Sequence, residues 1–327
     1  MRRKPNASES NPKCVHLIIL LLGLLSCGAV YMSMSRFNNH GNINVDKIGT
    51  LSNLGGENVQ ENEGRCRGVE RLELWGKAVK WGSEFKVNSP QECCKACQDM
   101  CNNGPCLCDT WVFCSNRSSC GDRFGECWLK KQDDTMVPER QEAGEVSMWT
   151  SGLVVGKGEG IIGLETEYGT LHITLFPTCS PHSFLHILEL LRLRHCAGCH
   201  IFRAESRGQS WDSQGNHIKD SSYGPPYALI QGTLEVQGLE FQNIPNEFQP
   251  SIKRGSVAWV GSGPEFFISL ANHDEWKGTY TVFGTVRPED MAIADRIAEL
   301  PTKPDVWEGI HVSVLKRPVP LKFHRIN

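Results

Sequence analysis

The sequence predicts a mainly β protein: a closed antiparallel barrel capped by two helices, preceded by a small disulfide-rich α+β domain. Three observations carry that expectation. From about residue 160 onward, short runs of alternating apolar and polar residues recur between turn signals, interrupted by two stretches of helical periodicity. Ten of the fifteen cysteines fall between Cys66 and Cys127, a density that small domains outside the cytosol use in place of a large core. At 327 residues the chain is long enough for about two domains of roughly 100 to 200 residues each. The net charge of -3, with 22% charged residues, forms no basic stripe, so a nucleic-acid partner is excluded.

The first element is a membrane segment. Arg2, Arg3, Lys4 and Lys13, in a cytosolic tail (1–13), precede a nearly uncharged stretch (14–34) that contains IILLLGLL. About 20 apolar residues span a bilayer, whereas the apolar part of a signal peptide runs to about 7 to 15, so an uncleaved signal-anchor is favoured over cleavage near Ala29. Basic residues stay cytosolic. The expectation is a single-pass type II protein of Golgi or endoplasmic reticulum membranes, with everything after Met34 luminal. Residues 35–63, rich in Asn and Gly and without apolar periodicity, read as a flexible stem.

The disulfide-rich domain covers 64–150, where ten cysteines allow five bonds and Trp75, Trp81, Trp111, Trp128 and Trp149 are expected to supply core bulk. Ser89-Pro90-Gln91-Glu92 gives a capping residue, a proline at the first helical position and a carboxylate at the third, so a short helix starts there. Cys93 and Cys97 then share one face, with Cys94 and Cys101 on neighbouring faces, which ties the helix to two parts of the domain. This helix with ECCKAC, followed by CDTWVFC and CWLK, resembles the PAN/apple module over residues 66–130, although CNNGPCLC adds cysteines to the usual pattern. The resemblance implies a disulfide-anchored helix on a curved sheet and a protein or glycan ligand; a structural spacer is the alternative. Asn116-Arg117-Ser118 is a glycosylation acceptor on the luminal side, and Asn6-Ala7-Ser8, on the cytosolic side, is expected to stay unmodified.

The C-terminal domain (160–318) opens with GLETEYGTLHITLF, two strands around Tyr168-Gly169 with Leu171, Ile173 and Leu175 on one face. Ser180-Pro181 starts a helix to about His195, with Phe184, Ile187, Leu188 and Leu191 at helical spacing. Strands are expected at Ile201 to Arg203, Ala228 to Gln231, Ser256 to Val260, Phe266 to Leu270 and Thr281 to Val286, with a second helix from Pro288 to Leu300. Closing such short strands into a barrel removes aggregation-prone edges.

The ordered strings ETEYGTLHITLFP, SFLHILELL, FRAE, LIQG, NEF, GSVAW, EFFISL, WKGTYTVFGTV and MAIADRIAEL resemble those of cyclophilins over nearly the whole domain. Resemblance implies peptidyl-prolyl cis/trans isomerisation, with no cofactor and no metal. It places Arg203 as the catalytic arginine and Gln231 as the residue that binds substrate backbone and steadies it. Phe267 is the floor of the proline pocket, Leu229 and Ala258 are its walls, and Tyr280 stands where the family has a rim histidine. Trp259, through its backbone, and Trp276 complete the substrate-binding set. Partners are then proline-containing secretory or membrane polypeptides.

This sequence departs from the family pattern in four places. The polar stretch SRGQSWDSQGNHIKDSSYGPP is inserted between Arg203 and Gln231, and is expected as a surface loop beside the groove. The following loops are shortened to TLEVQGLEFQNIP and GSGP, which opens the neighbouring specificity pocket. Trp259 and Glu265 replace an asparagine and a glutamine, and Glu265 is expected to partly neutralise Arg203. In HDEWKGTY the tryptophan falls one residue late, which puts Glu275 in the cyclosporin-contacting position. Cys196-Ala197-Gly198-Cys199-His200 has the C-x-x-C-H form of haem attachment and offers metal or redox ligands. Between a helix and the arginine strand it reads instead as part of a disulfide joining two of Cys179, Cys196 and Cys199, bracing that strand. Two functions follow: an isomerase for secretory clients, or a non-catalytic proline-peptide or glycan binding protein.

Overall fold

Helix α1 (Pro90–Asp99) begins where its capping residues dictate. The Ser89 hydroxyl accepts from the Glu92 backbone N–H at 3.2 Å and Pro90 occupies the first turn, a cap that contributes about 1 kcal/mol. The Glu92 carboxylate reaches back to the Asn88 N–H at 3.0 Å. The computed structural model describes residues 66–101, 105–193, 196–238 and 240–326. The expected tail, anchor and stem (1–63) lie outside the described residues.

In the cysteine-rich part, β1 (Val69–Glu70), β3 (Lys77–Lys80), β4 (Thr110–Cys114), β5 (Cys127–Lys131) and β7 (Trp149–Leu153) form one sheet in the order β1-β7-β4-β5-β3, and β2 (Leu72–Leu74) pairs with β6 (Arg140–Ala143). Helix α1 lies on β4 and β5. Cys93 bonds Cys127 at the start of β5, Cys94 bonds Cys66, and Cys97 bonds Cys108. Cys101–Cys106 and Cys114–Cys120 complete the five. The tryptophan core is narrower than expected. Trp111 and Trp149 are buried, but Trp75 and Trp81 are 49% and 58% exposed. They flank β3, an edge strand exposed at all four positions. Trp81 rests edge-on against Trp128 at 5.3 Å, and the Lys130 ammonium lies 4.8 Å from the Trp75 ring. Trp111 fits only because Gly152 has no side chain: a Cβ there would sit 2.6 Å from the indole.

The C-terminal part holds β8 (Ile161–Thr166), β9 (Gly169–Leu175), helix α3 (Pro181–Arg192), β10 (His200–Glu205), β11 (Leu229–Thr233), β12 (Ser256–Trp259), β13 (Glu265–Ser269), β14 (Val282–Val286), helix α4 (Met291–Ala298), β15 (Thr302–Trp307), β16 (Ile310–Pro320) and β17 (Lys322–Arg325), with the short helix α2 (Arg117–Cys120) belonging to the preceding part. Ten strands pair antiparallel in the order β15-β16-β10-β11-β13-β12-β14-β9-β8-β17. Only Leu321 separates β16, which pairs with β10, from β17, which pairs with β8. β16, one place in from the β15 end of the strand order, thus runs almost directly into β17 at the other end, and β17 extends the sheet to Arg325.

Helix α3 starts at Pro181 as expected, but Ser180 does not cap it; its hydroxyl donates to the Val282 carbonyl at 2.7 Å. The orphan N–H groups of the first turn are taken by the buried Glu247, whose carboxylate accepts from His182 N at 2.8 Å and Ser183 N at 3.0 Å. Negative charge is favoured there by the helix dipole. The cysteine-rich and C-terminal parts share one hydrophobic cluster, in which Leu72, Leu74 and Leu153 join Phe184 and Ile187 of α3. Arg140–Glu189 at 3.0 Å, Arg325–Asp134, and the Arg67 N–H on the Thr178 carbonyl at 2.8 Å tie the rim of that contact. Among the described residues no helix is long and apolar enough to cross a membrane.

Candidate functional site

Sheet register builds the site. Arg203 on β10 faces Gln231 on β11, Gln231 faces Phe267 on β13, and Phe267 faces Ala258 on β12. Residues directly opposite across antiparallel strands share a face, so the four form a row on one side of the sheet. Period-two alternation adds Leu229, Glu205 and Glu265, each two positions from a member of the row. Leu229, Ala258 and Phe267 belong to a buried cluster with Ile252 and Val282, against which Trp276 and Tyr280 pack. The Phe267 ring lies 5.0 Å from Tyr280 and 5.8 Å from Trp276, both edge-on.

Above this floor opens a cavity of about 660 Å³ lined by Arg203, Tyr227, Leu229, Gln231, Val260, Glu265, Phe267, Trp276, Tyr280, Trp307, Glu308, Ile310 and Val312. The Arg203 side chain is 12% exposed. Its Nη1 donates to Gln231 Oε1 at 2.9 Å and its Nε to Glu205 Oε1 at 2.8 Å. The Tyr227 and Trp307 rings stand 5.7 Å and 5.5 Å from the guanidinium carbon, within reach of cation–π attraction. The site therefore offers a fixed cation beside an aromatic, apolar slot. Burial pushes the Tyr280 hydroxyl above its ordinary pKa, with Arg203 acting against that shift. Behind Trp276, His273 stacks on the indole at 3.8 Å. Burial holds its imidazole below the usual histidine range, and the Glu275 carboxylate at 2.6 Å pulls the other way.

Arg203, Gln231, Phe267, Leu229, Trp276 and Tyr280 meet at one cavity. Two expected residues do not line it. Ala258 is fully buried beside Phe267, within the same apolar cluster. Trp259 is one position further along β12 and so points to the opposite face, where its indole stacks on Phe283 at 4.3 Å and donates to Ser183 Oγ at 3.0 Å. Its backbone N–H is already given to the Thr281 carbonyl at 3.1 Å. Glu265 is not the partner of Arg203; it accepts from Gln231 Nε2 at 2.7 Å, and the ion pair belongs to Glu205. Glu275 turns to His273 instead of the cavity.

The inserted segment borders the slot without filling it. Its Trp211 is buried, 4.8 Å from the His273 ring, and its return brings Tyr227 to the cavity. Trp307, Glu308 and Ile310 belong to the β15–β16 hairpin, which the sequence reading did not include. Its signal was confined to the turn and the second strand: alternating IHVSV follows Glu308-Gly309, whose φ values of 48° and 84° make a tight two-residue turn. Cys196 and Cys199 are bonded to each other, while Cys179 is buried elsewhere. Next to that bond, Ala197 and Cys199 carbonyls accept from Gln237 N at 2.8 Å and Leu321 N at 3.0 Å. Asn116 is exposed, and its carboxamide oxygen accepts from Ser118 N at 2.9 Å.

Residues 161–317 match the family model described as cyclophilin type peptidyl-prolyl cis-trans isomerase/CLD. No curated protein matches the chain. Among solved structures, a Cryptosporidium parvum cyclophilin type peptidyl-prolyl cis-trans isomerase, crystallised in the presence of the dipeptide Ala-Pro, aligns with 16% identity over 51% of this chain and 99% of its own, with a TM-score of 0.36. A second structure of that protein gives 17% identity over the same shares and a TM-score of 0.34. A cyclophilin from Hirschia baltica aligns with 13% identity over 51% of this chain and 74% of its own, with a TM-score of 0.31.

Proposed function

Residues 161–317 are a cyclophilin-type peptidyl-prolyl cis-trans isomerase domain, and on that premise we propose that the chain accelerates cis/trans rotation of X–Pro bonds in polypeptides of the secretory pathway. The observation that carries the reading is the Arg203 guanidinium held by Gln231 at 2.9 Å in the same cavity as the Phe267 floor. Amide rotation is opposed by a barrier of about 18 to 20 kcal/mol, the loss of resonance across the C–N bond. No bond to carbon is made or broken. As the amide twists, the lone pair localises on the prolyl nitrogen, and an arginine N–H aimed there stabilises the twisted form more than either planar one. Phe267, Leu229, Trp276 and Tyr280 hold the proline ring while Gln231 keeps the guanidinium and substrate backbone in register.

The wider setting belongs to the same proposal. The consecutive strands β16 and β17 support closure of the sheet into a barrel. Helix α1, disulfide-bonded over a five-stranded sheet, supports a PAN/apple-like module that retains clients near the slot. Five disulfides in that part fit an oxidising lumen. The signal-anchor at 14–34 and glycosylation at Asn116 complete the picture, the latter supported by that residue's exposure.

One observation favours a second reading, in which the slot binds proline loops without speeding their rotation: the buried Glu205 carboxylate compensates Arg203. A protease-coupled isomerisation assay on the full chain separates the two. Arg203→Ala is expected to lower kcat/KM by about a hundredfold or more. Equal rates for wild type and variant, with peptide binding retained, would establish the binding protein instead.

A further inference from the structure

We infer that Glu205 is a positioning residue for the reaction, one that acts on substrate only through the orientation it gives Arg203. The inference rests on the isomerase reading and adds to it a residue outside the arginine, glutamine and pocket set. Glu205 lies two positions after Arg203 on β10, hence on the same face, yet its side chain is only 1% exposed. It lies too deep to touch a peptide in the cavity, whose lining does not include it. Both carboxylate oxygens are engaged. Oε1 accepts from Arg203 Nε at 2.8 Å and from the Ser313 N–H of β16 at 3.3 Å, and Oε2 accepts from the Tyr227 N–H at 2.6 Å.

Three chain segments thus converge on one buried carboxylate: the arginine strand, the return of the inserted segment and the C-terminal hairpin. Each consequence bears on Arg203. A bond from Nε and another from Nη1 fix the guanidinium plane along two edges, whereas the Gln231 contact alone leaves it free to swing about that bond. The same carboxylate anchors Tyr227, and through β16 the hairpin that carries Trp307, so the two rings flanking the guanidinium are set by the group that orients it. A buried carboxylate without its cation is costly, so the pairing holds each partner in place. For a donor that must point at a lone pair appearing only in mid-rotation, a displacement near 1 Å can cost on the order of a hundredfold in rate.

The test is steady-state kinetics on a proline peptide with the full chain and with Glu205→Gln, which keeps the size of the side chain and removes the charge. Since Phe267, Leu229 and Tyr280 are untouched, kcat is expected to fall about tenfold or more with KM within about twofold of wild type. Glu205→Asp, which retains charge but withdraws it by one methylene, is expected to lie between. Wild-type kcat in Glu205→Gln overturns the inference, and so does a raised KM at unchanged kcat, the mark of a damaged pocket. Where Glu205→Gln does not fold, wild-type kcat in Glu205→Asp overturns it equally. A wild-type chain without activity overturns the isomerase reading as well, whereas an active wild type indifferent to Glu205 overturns the inference alone.

Discussion

Arg203 is held on two edges by Glu205 and Gln231 and between two aromatic rings, and what surrounds such a side chain decides its chemistry more than its identity does. The same holds for His273. Burial depresses its pKa below the ordinary 6.5, against the pull of Glu275, and burial depresses that of His186 likewise. A histidine whose folded pKa lies below its unfolded one takes up protons more readily when unfolded. Its stabilising contribution is present above about pH 6.5 and is lost as pH falls through that value toward the depressed one. His273 should therefore titrate below 6.5 by NMR, and acidification over that window should lower the denaturation midpoint; titration of His273 at or above the ordinary value would contradict this. At this scale the sequence was informative where alternation fixes a face. Arg203, Gln231, Phe267 and Leu229 share one face of the sheet, and the resemblance that singled them out applies to strands of fixed register. Trp259, expected to act through its backbone, carries its indole to the opposite side, because one step along β12 reverses the face. Glu205 was missed although FRAE contains it, since burial of a carboxylate beside an arginine depends on Tyr227 and Ser313, residues remote in sequence.

Elements were legible where local chemistry determines them. Ser89, Pro90 and Glu92 mark the start of α1, and apolar spacing marks α3 and α4; the cap of α1 and the stripes of α3 and α4 lie within a few residues. The hairpin β15–β16 was not, because β15 is exposed at four of its six positions and lacks the buried alternation that identifies an inner strand. Disulfide pairing was open in the sequence, since partners are chosen by the tertiary fold. Cys93–Cys127 joins α1 to β5 across 34 residues. Replacing both cysteines by alanine should destabilise the chain by about 2 to 5 kcal/mol, read as a lowered chemical-denaturation midpoint. An unchanged midpoint would mean that packing of α1 on β4 and β5 holds the helix without the bond.

Over the whole molecule, cysteine density yields to strand alternation near residue 150 to 160, which suggests two independent parts. Yet Leu72, Leu74 and Leu153 share a core with Phe184 and Ile187, contacts that no periodicity announces. A shared apolar core couples unfolding. Thermal unfolding with disulfides intact should give one cooperative transition, and two well-separated transitions would contradict that coupling. The central claim remains that a fixed guanidinium beside an apolar slot speeds prolyl rotation. Exchange NMR of a single-proline peptide with the full chain tests it most directly. The account predicts a cis/trans exchange rate that rises in proportion to protein and returns to the uncatalysed rate, tens to hundreds of seconds per event, in Arg203→Ala. Peptide resonances that shift on binding while wild-type protein leaves exchange at that slow rate would contradict it.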